Sequence, residues 1–181
     1  MRIAVISDTH SNVKTASALL DAIGDFDLLI HLGDHVNDLI ALSSEMSCRT
    51  IGISGNEDKG FLGDDRFPTE MTIPAGDIKI FMTHGHLFDL NPYYQKDEWD
   101  SRISGLVLRA KETGAKIALF GHTHRPHLED RDGVLLMNPG DIYPGAERAH
   151  VGILEISGKD SSAKIYRFDE SLRRELYLSW P

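Results

Sequence analysis

The chain reads as an α/β protein with a mixed, layered sheet. Two observations carry that expectation: unpunctuated apolar runs alternate with segments of helical periodicity in the first half, and short alternating runs separated by polar turns fill the tail. The first run, residues 2–6, and the second, residues 28–32 (LLIHL), have the continuous aliphatic character of buried, parallel strands. Between them Val13, Ala16, Leu19, Leu20 and Ile23 recur at helical spacing and Gly24 supplies a stop. Leu39, Ile40, Leu42 and Met46 predict a short helix before a third strand at 49–54. Ile103, Leu106, Val107 and Ala110 predict another helix before a strand at 116–120. Residues 69–73 and 78–82 flank Pro74-Ala75-Gly76-Asp77 and predict an antiparallel hairpin. Runs at 151–156, 162–168 and 172–180 predict three further strands, the last with Leu172, Leu176, Leu178 and Trp180 sharing one packed face. Residues 57–67 and 87–100 are the least regular and are expected to flank a site. Phe88, Tyr93, Tyr94 and Trp99 would anchor the second loop, wall a pocket or form a subunit contact.

With 181 residues the chain is expected to be one domain spanning 1–181. Its folded surface should be near ~8,800 Å², with about 70% of the extended-chain surface buried, enough for a core without disulfides. Cys48 is the single cysteine, so neither an intrachain disulfide nor a thiolate zinc cluster can form. The net charge of -9 disfavours stable nucleic-acid or anionic-membrane binding. The opening apolar run ends at Asp8, too short for a signal peptide or a membrane span, so the cytoplasm is the expected location. Gly158-Lys159 lacks the upstream glycine of a Walker loop, and Ser54-Gly55 lacks the spacing of a nucleophile elbow.

The chemistry collects at the ends of predicted strands. Asp8-Thr9-His10, Gly33-Asp34-His35, Gly55-Asn56-Glu57-Asp58, Thr83-His84-Gly85-His86 and Gly121-His122-Thr123-His124 each come directly after one. Carboxyl ends of adjacent strands in an open α/β sheet face one crevice, so these groups are expected to converge. Six of the nine histidines lie in the clusters, beside carboxylates and an amide, a nitrogen and oxygen set suited to divalent transition metals. So many ligands suit a pair of ions rather than one. Taken singly, Asp8 and Asp34 could cap helices, Asn56 could be a turn residue and each histidine an ordinary loop residue; their joint placement argues otherwise. His31 is expected to be a satisfied core group or a support for a ligand, His127 and His150 surface or structural, and His35, pointing elsewhere on a strand-like backbone, to pack or to support a ligand.

Asp8-x-His10, Gly33-Asp34, Gly55-Asn56, His84-Gly85-His86 and Gly121-His122-x-His124 resemble the five signature blocks of the calcineurin-like metallophosphoesterases. The chain length and Asn138-Pro139-Gly140 resemble the small bacterial and archaeal phosphodiesterase subfamily that also includes the retromer scaffolding subunit. The resemblance implies a four-layer α/β/β/α sandwich and a dinuclear centre. Asp8, His10, Asp34 and His124 would hold one ion; Asp34, Asn56, His84 and His122 would hold the other, with Asp34 bridging. Two positions depart from the family pattern: Glu57 stands where many members have histidine, and Asp141 comes after Asn138-Pro139-Gly140 where serine is common.

The expected reaction is metal-dependent hydrolysis of a phosphoester, a small phosphodiester before a monoester, by water that the dinuclear centre activates. Manganese is expected first, with nickel, zinc, iron or magnesium as alternatives. His86 is a candidate for bonding the attacking or departing oxygen or for orienting a ligand. Arg125 is a candidate phosphate contact or a solvated ion pair, and Asn12 a substrate contact or a helix cap. Glu57 would act in catalysis only if protonated or by orienting another donor. A nuclease, a phosphomonoesterase and a catalytically weak interaction scaffold of the same fold are the competing readings, and a homo-oligomer through Tyr93 and Tyr94 is a further expectation.

Overall fold

A computed structural model of the protein describes residues 1–61, 63–143 and 148–181. Two mixed sheets stack face to face with helices on both outer faces. The strands of the first sheet, in chain order, are β1 (Arg2–Ile6), β2 (Leu28–His31), β3 (Arg49–Gly52), β9 (Ala149–Ser157), β10 (Asp160–Phe168) and β11 (Arg174–Trp180). Their spatial order is β11-β10-β9-β1-β2-β3, with β1, β2 and β3 parallel and the tail strands antiparallel. The second sheet contains β4 (Glu70–Ala75), β5 (Ile78–Thr83), β6 (Ile117–Leu119), β7 (His127–Arg131) and β8 (Val134–Asn138), in the order β4-β5-β6-β8-β7. The helices are α1 (Val13–Ile23), α2 (Asp38–Glu45) and α3 (Lys96–Glu112).

Side-chain alternation makes the layers. On β1, Ile3 and Val5 enter the apolar core between the two sheets, while Ala4 and Ile6 enter the core under α1 and α2. On the second sheet Ile80 and Met82 face the central core, and Phe81, Ala118 and Leu136 face α3. Because both faces of the central strands are covered, these segments are apolar throughout, as parallel strands flanked by helices must be. The result is the expected α/β/β/α sandwich.

Several boundaries differ from the sequence reading, each for a local reason. The hairpin turn is Gly76-Asp77 alone, because Pro74 and Ala75 continue β4; an edge strand tolerates a proline that cannot donate to a ladder. Helix α3 begins at Lys96, not near 103, since residues 96–98 are exposed and Trp99, packed on the core under the helix, is the one apolar residue before Ile103; Asp97 and Glu98 suit its positive N-terminal end. The β7–β8 hairpin was not anticipated. Its signal was Asp132-Gly133, both at positive φ (53° and 77°), the residue pair a tight two-residue hairpin turn prefers. The shared parity expected for 172–180 fails at a bulge. Ile165 pairs Leu178 while its neighbour Tyr166 pairs Leu176, so the two leucines take opposite faces. Leu178 packs on the central core and Leu176 is exposed.

Candidate metal centre

The segments after β1, β2, β5 and β6 open onto one end of the sandwich, beside the loop after β3. Each makes a sharp turn. Asp8, His10, Ser11, Asp34, His35, His122 and His124 all have positive φ, between 44° and 67°. Left-handed backbone costs a side-chain-bearing residue roughly 1–3 kcal/mol, least for Asp and His, and such strain concentrates at functional sites. It aims these groups inward instead of along the strand alternation. That is why His35 does not point away as its expected strand-like backbone required: its ring lies 5.1 Å from the His10 ring.

Close backbone approach brings the segments together. A Cβ on Gly55 would overlap the Asp34 carboxylate, and one on Gly121 would overlap the Ser7 hydroxyl and sit 2.9 Å from Asp8 Oδ2. The Glu57 amide donates to Asp34 Oδ1 at 2.9 Å and the His122 amide to Asp8 Oδ2 at 3.1 Å. Buried Asp58 ties the β2 and β3 loops together, accepting from Val36 N at 2.9 Å and Gly55 N at 2.8 Å. Asn56, exposed, lies between Gly55 and Glu57 on that same loop.

Among the described residues, three groups of side chains can each bring ligand atoms within 4.8 Å of one another: Asp8, His10 and His124; Asp34, His84 and His122; and His10, His35 and Glu57. The first two groups meet. His84 Nε2 lies 3.3 Å from Asp34 Oδ2 and 3.9 Å from Asp8 Oδ1, and His124 Nε2 lies 3.2 Å from that same Asp8 oxygen.

The imidazoles are held from behind. His84 Nδ1 donates to the Leu32 carbonyl at 2.7 Å, His124 Nδ1 to Asp141 Oδ2 at 3.1 Å, and His10 Nδ1 faces Glu57 Oε2 at 3.2 Å. A partner on Nδ1 leaves Nε2 with its lone pair toward the centre, the arrangement ligating histidines adopt. Asp8 Oδ1, His10 Nε2 and His84 Nε2 are buried and have no hydrogen-bond partner. Unsatisfied buried polar atoms are rare and costly, so three of them pointing into one cluster are the mark of a cation site. The donor set, imidazole nitrogen and carboxylate oxygen, has the chemistry a divalent metal requires.

Electrostatics agree. Burial acts to raise the Asp34 carboxyl, but His84 outweighs it and holds Asp34 at about 2. Burial likewise opposes the Asp8 carboxylate, and His124 and His84 bring it below its ordinary value. Asp141 and then Asp8 raise His124 to about 10; Asp34 and Asp8 raise His84 against its burial. Without a cation the Asp8 carboxylate thus faces a protonated His124, whose proton a metal would displace.

The remaining expected residues fall around this cluster. His86 is half-buried with Nδ1 unpartnered, its ring 5.5 Å from His84 and 6.3 Å from His122; burial, His84 and His122 lower its pKa. Asn12 occupies the cap position of α1 without making a cap bond, and its side-chain amide donates instead to the Ile142 carbonyl at 2.9 Å. Arg125 is exposed; its guanidinium donates to Pro92 O at 3.0 Å and stacks 4.9 Å from the Tyr93 ring, itself 79% exposed. Tyr94 donates to Asp89. Asp141 does not add an outward-facing charge to the pocket, since its two oxygens address His124 and, at 4.0 Å, His150.

Sequence reasoning missed two contributors, Tyr143 and Asp38, while His31 stands as expected. Tyr143 stands edge-on to the His10 ring at 4.8 Å. Asp38, fully inside the fold, accepts from the Thr9 hydroxyl at 2.6 Å and the Ser11 amide at 2.8 Å. His31 completes that chain, with Nε2 3.0 Å from Thr9 Oγ1 and Nδ1 accepting from Gly33 N at 3.1 Å. Asp38 had a signal, a carboxylate at the first position of a predicted helix; Tyr143 had none.

A stacked pair of mixed sheets with a nitrogen- and oxygen-lined cation site at its strand ends defines a metal-binding sandwich of the hydrolase type. The chain matches the calcineurin-like phosphoesterase superfamily domain over residues 1–159 and belongs to that superfamily. A probable metallophosphoesterase of Methanocaldococcus jannaschii is 31% identical over 175 residues, covering 94% of this chain and 83% of that protein. A phosphodiesterase of the same organism is 27% identical, covering 92% and 97%. The Vps29 protein of Entamoeba histolytica, solved in complex with zinc, superposes with a TM-score of 0.71 at 19% identity over 98% of each chain, a likeness of fold. Among the described residues no helix is long and apolar enough to cross a membrane.

Proposed function

We propose that the protein hydrolyses phosphoester bonds, phosphodiesters in preference to monoesters, with two divalent ions. The observation that carries this reading is the convergence of Asp8, His10 and His124 with Asp34, His84 and His122, three of whose buried atoms lack partners. Asp8, His10, Asp34 and His124 would hold one ion and Asp34, Asn56, His84 and His122 the other, with manganese the first to test. Bound there, such ions supply Lewis acidity toward a phosphoryl oxygen and an activated water.

The chain's own groups do the rest. Asp141, Leu32 and Glu57 orient His124, His84 and His10 from behind. His86, its pKa lowered by burial and by the neighbouring imidazoles, would take or return a proton beside the reacting phosphate. Arg125, drawn to the 92–93 loop, shapes the entrance, and Asn12 braces the wall through Ile142. The preference for diesters rests on charge: Glu57 adds a carboxylate beside His10 and repels a dianionic monoester more than a monoanionic diester. The phosphodiesterase among the relatives supports the same choice.

The test compares turnover of bis(p-nitrophenyl) phosphate and p-nitrophenyl phosphate by manganese-loaded protein. Diester turnover should dominate, and Asp34→Ala should abolish it. A strong monoester preference would overturn the diester assignment. A metal-loaded protein inert toward a broad diester panel would favour the alternative, an interaction scaffold, a reading that the Vps29 likeness in fold supports.

A further inference from the structure

Beside the metal ligands lies a cleft of about 440 Å³ that none of the candidate ligands occupies. Asn12, Lys14 and Leu19 of the α1 end, Tyr143, Arg148 and Phe168 line it. The size falls within the range of small-molecule sites. Tyr143 is the wall shared with the metal centre: its ring is 4.8 Å from the His10 ring and 5.9 Å from that of His124, and it remains 47% exposed. Asn12 fixes this wall by bonding the carbonyl of Ile142, the residue before Tyr143. Leu19 and Phe168 are core residues whose inner edges give the cleft an apolar floor.

The two sides of the centre differ in character. Glu57 lies against His10 and His35 on one side, while the cleft carries exposed Lys14 and Arg148, the latter 3.8 Å from Glu175. Asp169 and Glu170 also line the cleft, so its rim carries two acids beside its two bases; the Asp169 carboxylate accepts from Ser171 N and Arg173 N inside its own turn. An anionic diester at the ligands therefore meets the Glu57 carboxylate on one side and, on the other, an aromatic wall with a rim of mixed charge.

We infer that this cleft seats one organic arm of the phosphodiester, and that the arm is a flat, nucleoside-sized ring system lying against Tyr143. The inference rests on the proposed hydrolysis and adds a substrate class to it. A flat ring gains from an aromatic wall what a flexible polyol does not, about 1–3 kcal/mol per stacked base, and 440 Å³ leaves room for a sugar beside it.

The experiment compares thymidine 5′-(p-nitrophenyl phosphate) with methyl p-nitrophenyl phosphate on manganese-loaded, full-length protein. The thymidine ester should have the lower KM. Tyr143→Ala should lower the ratio of kcat/KM for the thymidine ester to that for the methyl ester about tenfold, through KM, and Tyr143→Phe should restore it. Ala18→Phe, which fills the cleft from α1 without touching a metal ligand, should lower the same ratio. Equal effects on both esters, or a glycerol-bearing diester preferred to the thymidine one, would overturn the inference. Binding separates it from the hydrolytic reading. Thymidine 5′-(methyl phosphate), titrated calorimetrically, should bind wild type and bind Tyr143→Ala at least fivefold more weakly. Methyl ester turnover without such binding sinks the cleft alone; binding without turnover of either ester sinks the hydrolytic reading alone.

Discussion

Glu57 shows how one substitution in a motif can be read only through its contacts. As a residue type it is a poor replacement for a cationic phosphate clamp. In place, its amide bonds Asp34 and its carboxylate faces His10 Nδ1 at 3.2 Å and His35 Nε2 at 3.6 Å, while Ser11 holds His35 Nδ1 at 2.9 Å. The carboxylate's direct contacts are to His10 and His35, and it would reach a substrate only through its charge. Glu57→Gln keeps a hydrogen-bond acceptor and loses the charge, whereas Glu57→Ala loses both; outer partners of ligating histidines typically contribute 10–100-fold in metal affinity. Manganese titration of the metal-free protein should therefore show Glu57→Ala weakened by about that factor and Glu57→Gln by less. Equal affinity in wild type and Glu57→Ala would remove the positioning role.

At the scale of elements, the turns that leave the strand ends build the site. The loop between β1 and α1 carries Asp8, His10 and Ser11 at positive φ, and Asp38 at the start of α2 holds it down through Thr9 and Ser11. Replacing Asp38 with Ala leaves a buried hydroxyl and the Ser11 amide without their acceptor, a loss of roughly 1–3 kcal/mol per unsatisfied group. Denaturant unfolding of Asp38→Ala should show destabilisation of about that size. Metal affinity should fall with it, because the strained loop loses its anchor. A variant as stable as wild type would show that the loop holds its own shape. The strand ends themselves were readable as runs stopped by glycine. The turn conformations were not, because local sequence does not reveal which polar residues a distant carboxylate will hold in a left-handed geometry.

For the whole molecule, burial of a neutral histidine links stability to pH. His31 is fully enclosed, and desolvation, partly opposed by Asp58, Asp8 and Asp38, lowers its pKa from 6.5 to about 4. The unfolded chain takes up a proton near pH 6.5 that the folded one refuses until about 4. The contribution is complete above 6.5 and is lost as pH falls from there toward 4. At ~1.36 kcal/mol per pKa unit it is on the order of 3 kcal/mol. Urea unfolding of metal-free protein at pH 7 and pH 4 should show wild type losing about that much more stability than His31→Gln. Equal losses would contradict the buried neutral imidazole.

Much of this architecture was legible along the chain. Apolar runs marked the buried strands, helical spacing marked α1 and α2, and the clusters after successive strands marked the centre, because burial periodicity and strand-end placement are local consequences of composition. The solvated start of α3, the β7–β8 hairpin and the split face of β11 were not legible from apolar pattern. The first two show too little of it, and the third breaks it with a bulge fixed by its partner strand. Local pattern along the chain sets the layers and the inventory of nitrogen and oxygen donors at the strand ends. Packing of the two sheets sets which nitrogens of His84, His124 and His10 are held from behind, that Asp141 and Glu57 face His124 and His10, and that Tyr143 joins this cluster to a cleft. Those outcomes depend on contacts between residues up to 133 positions apart, as between His10 and Tyr143, and only packing of the two sheets brings such residues within reach.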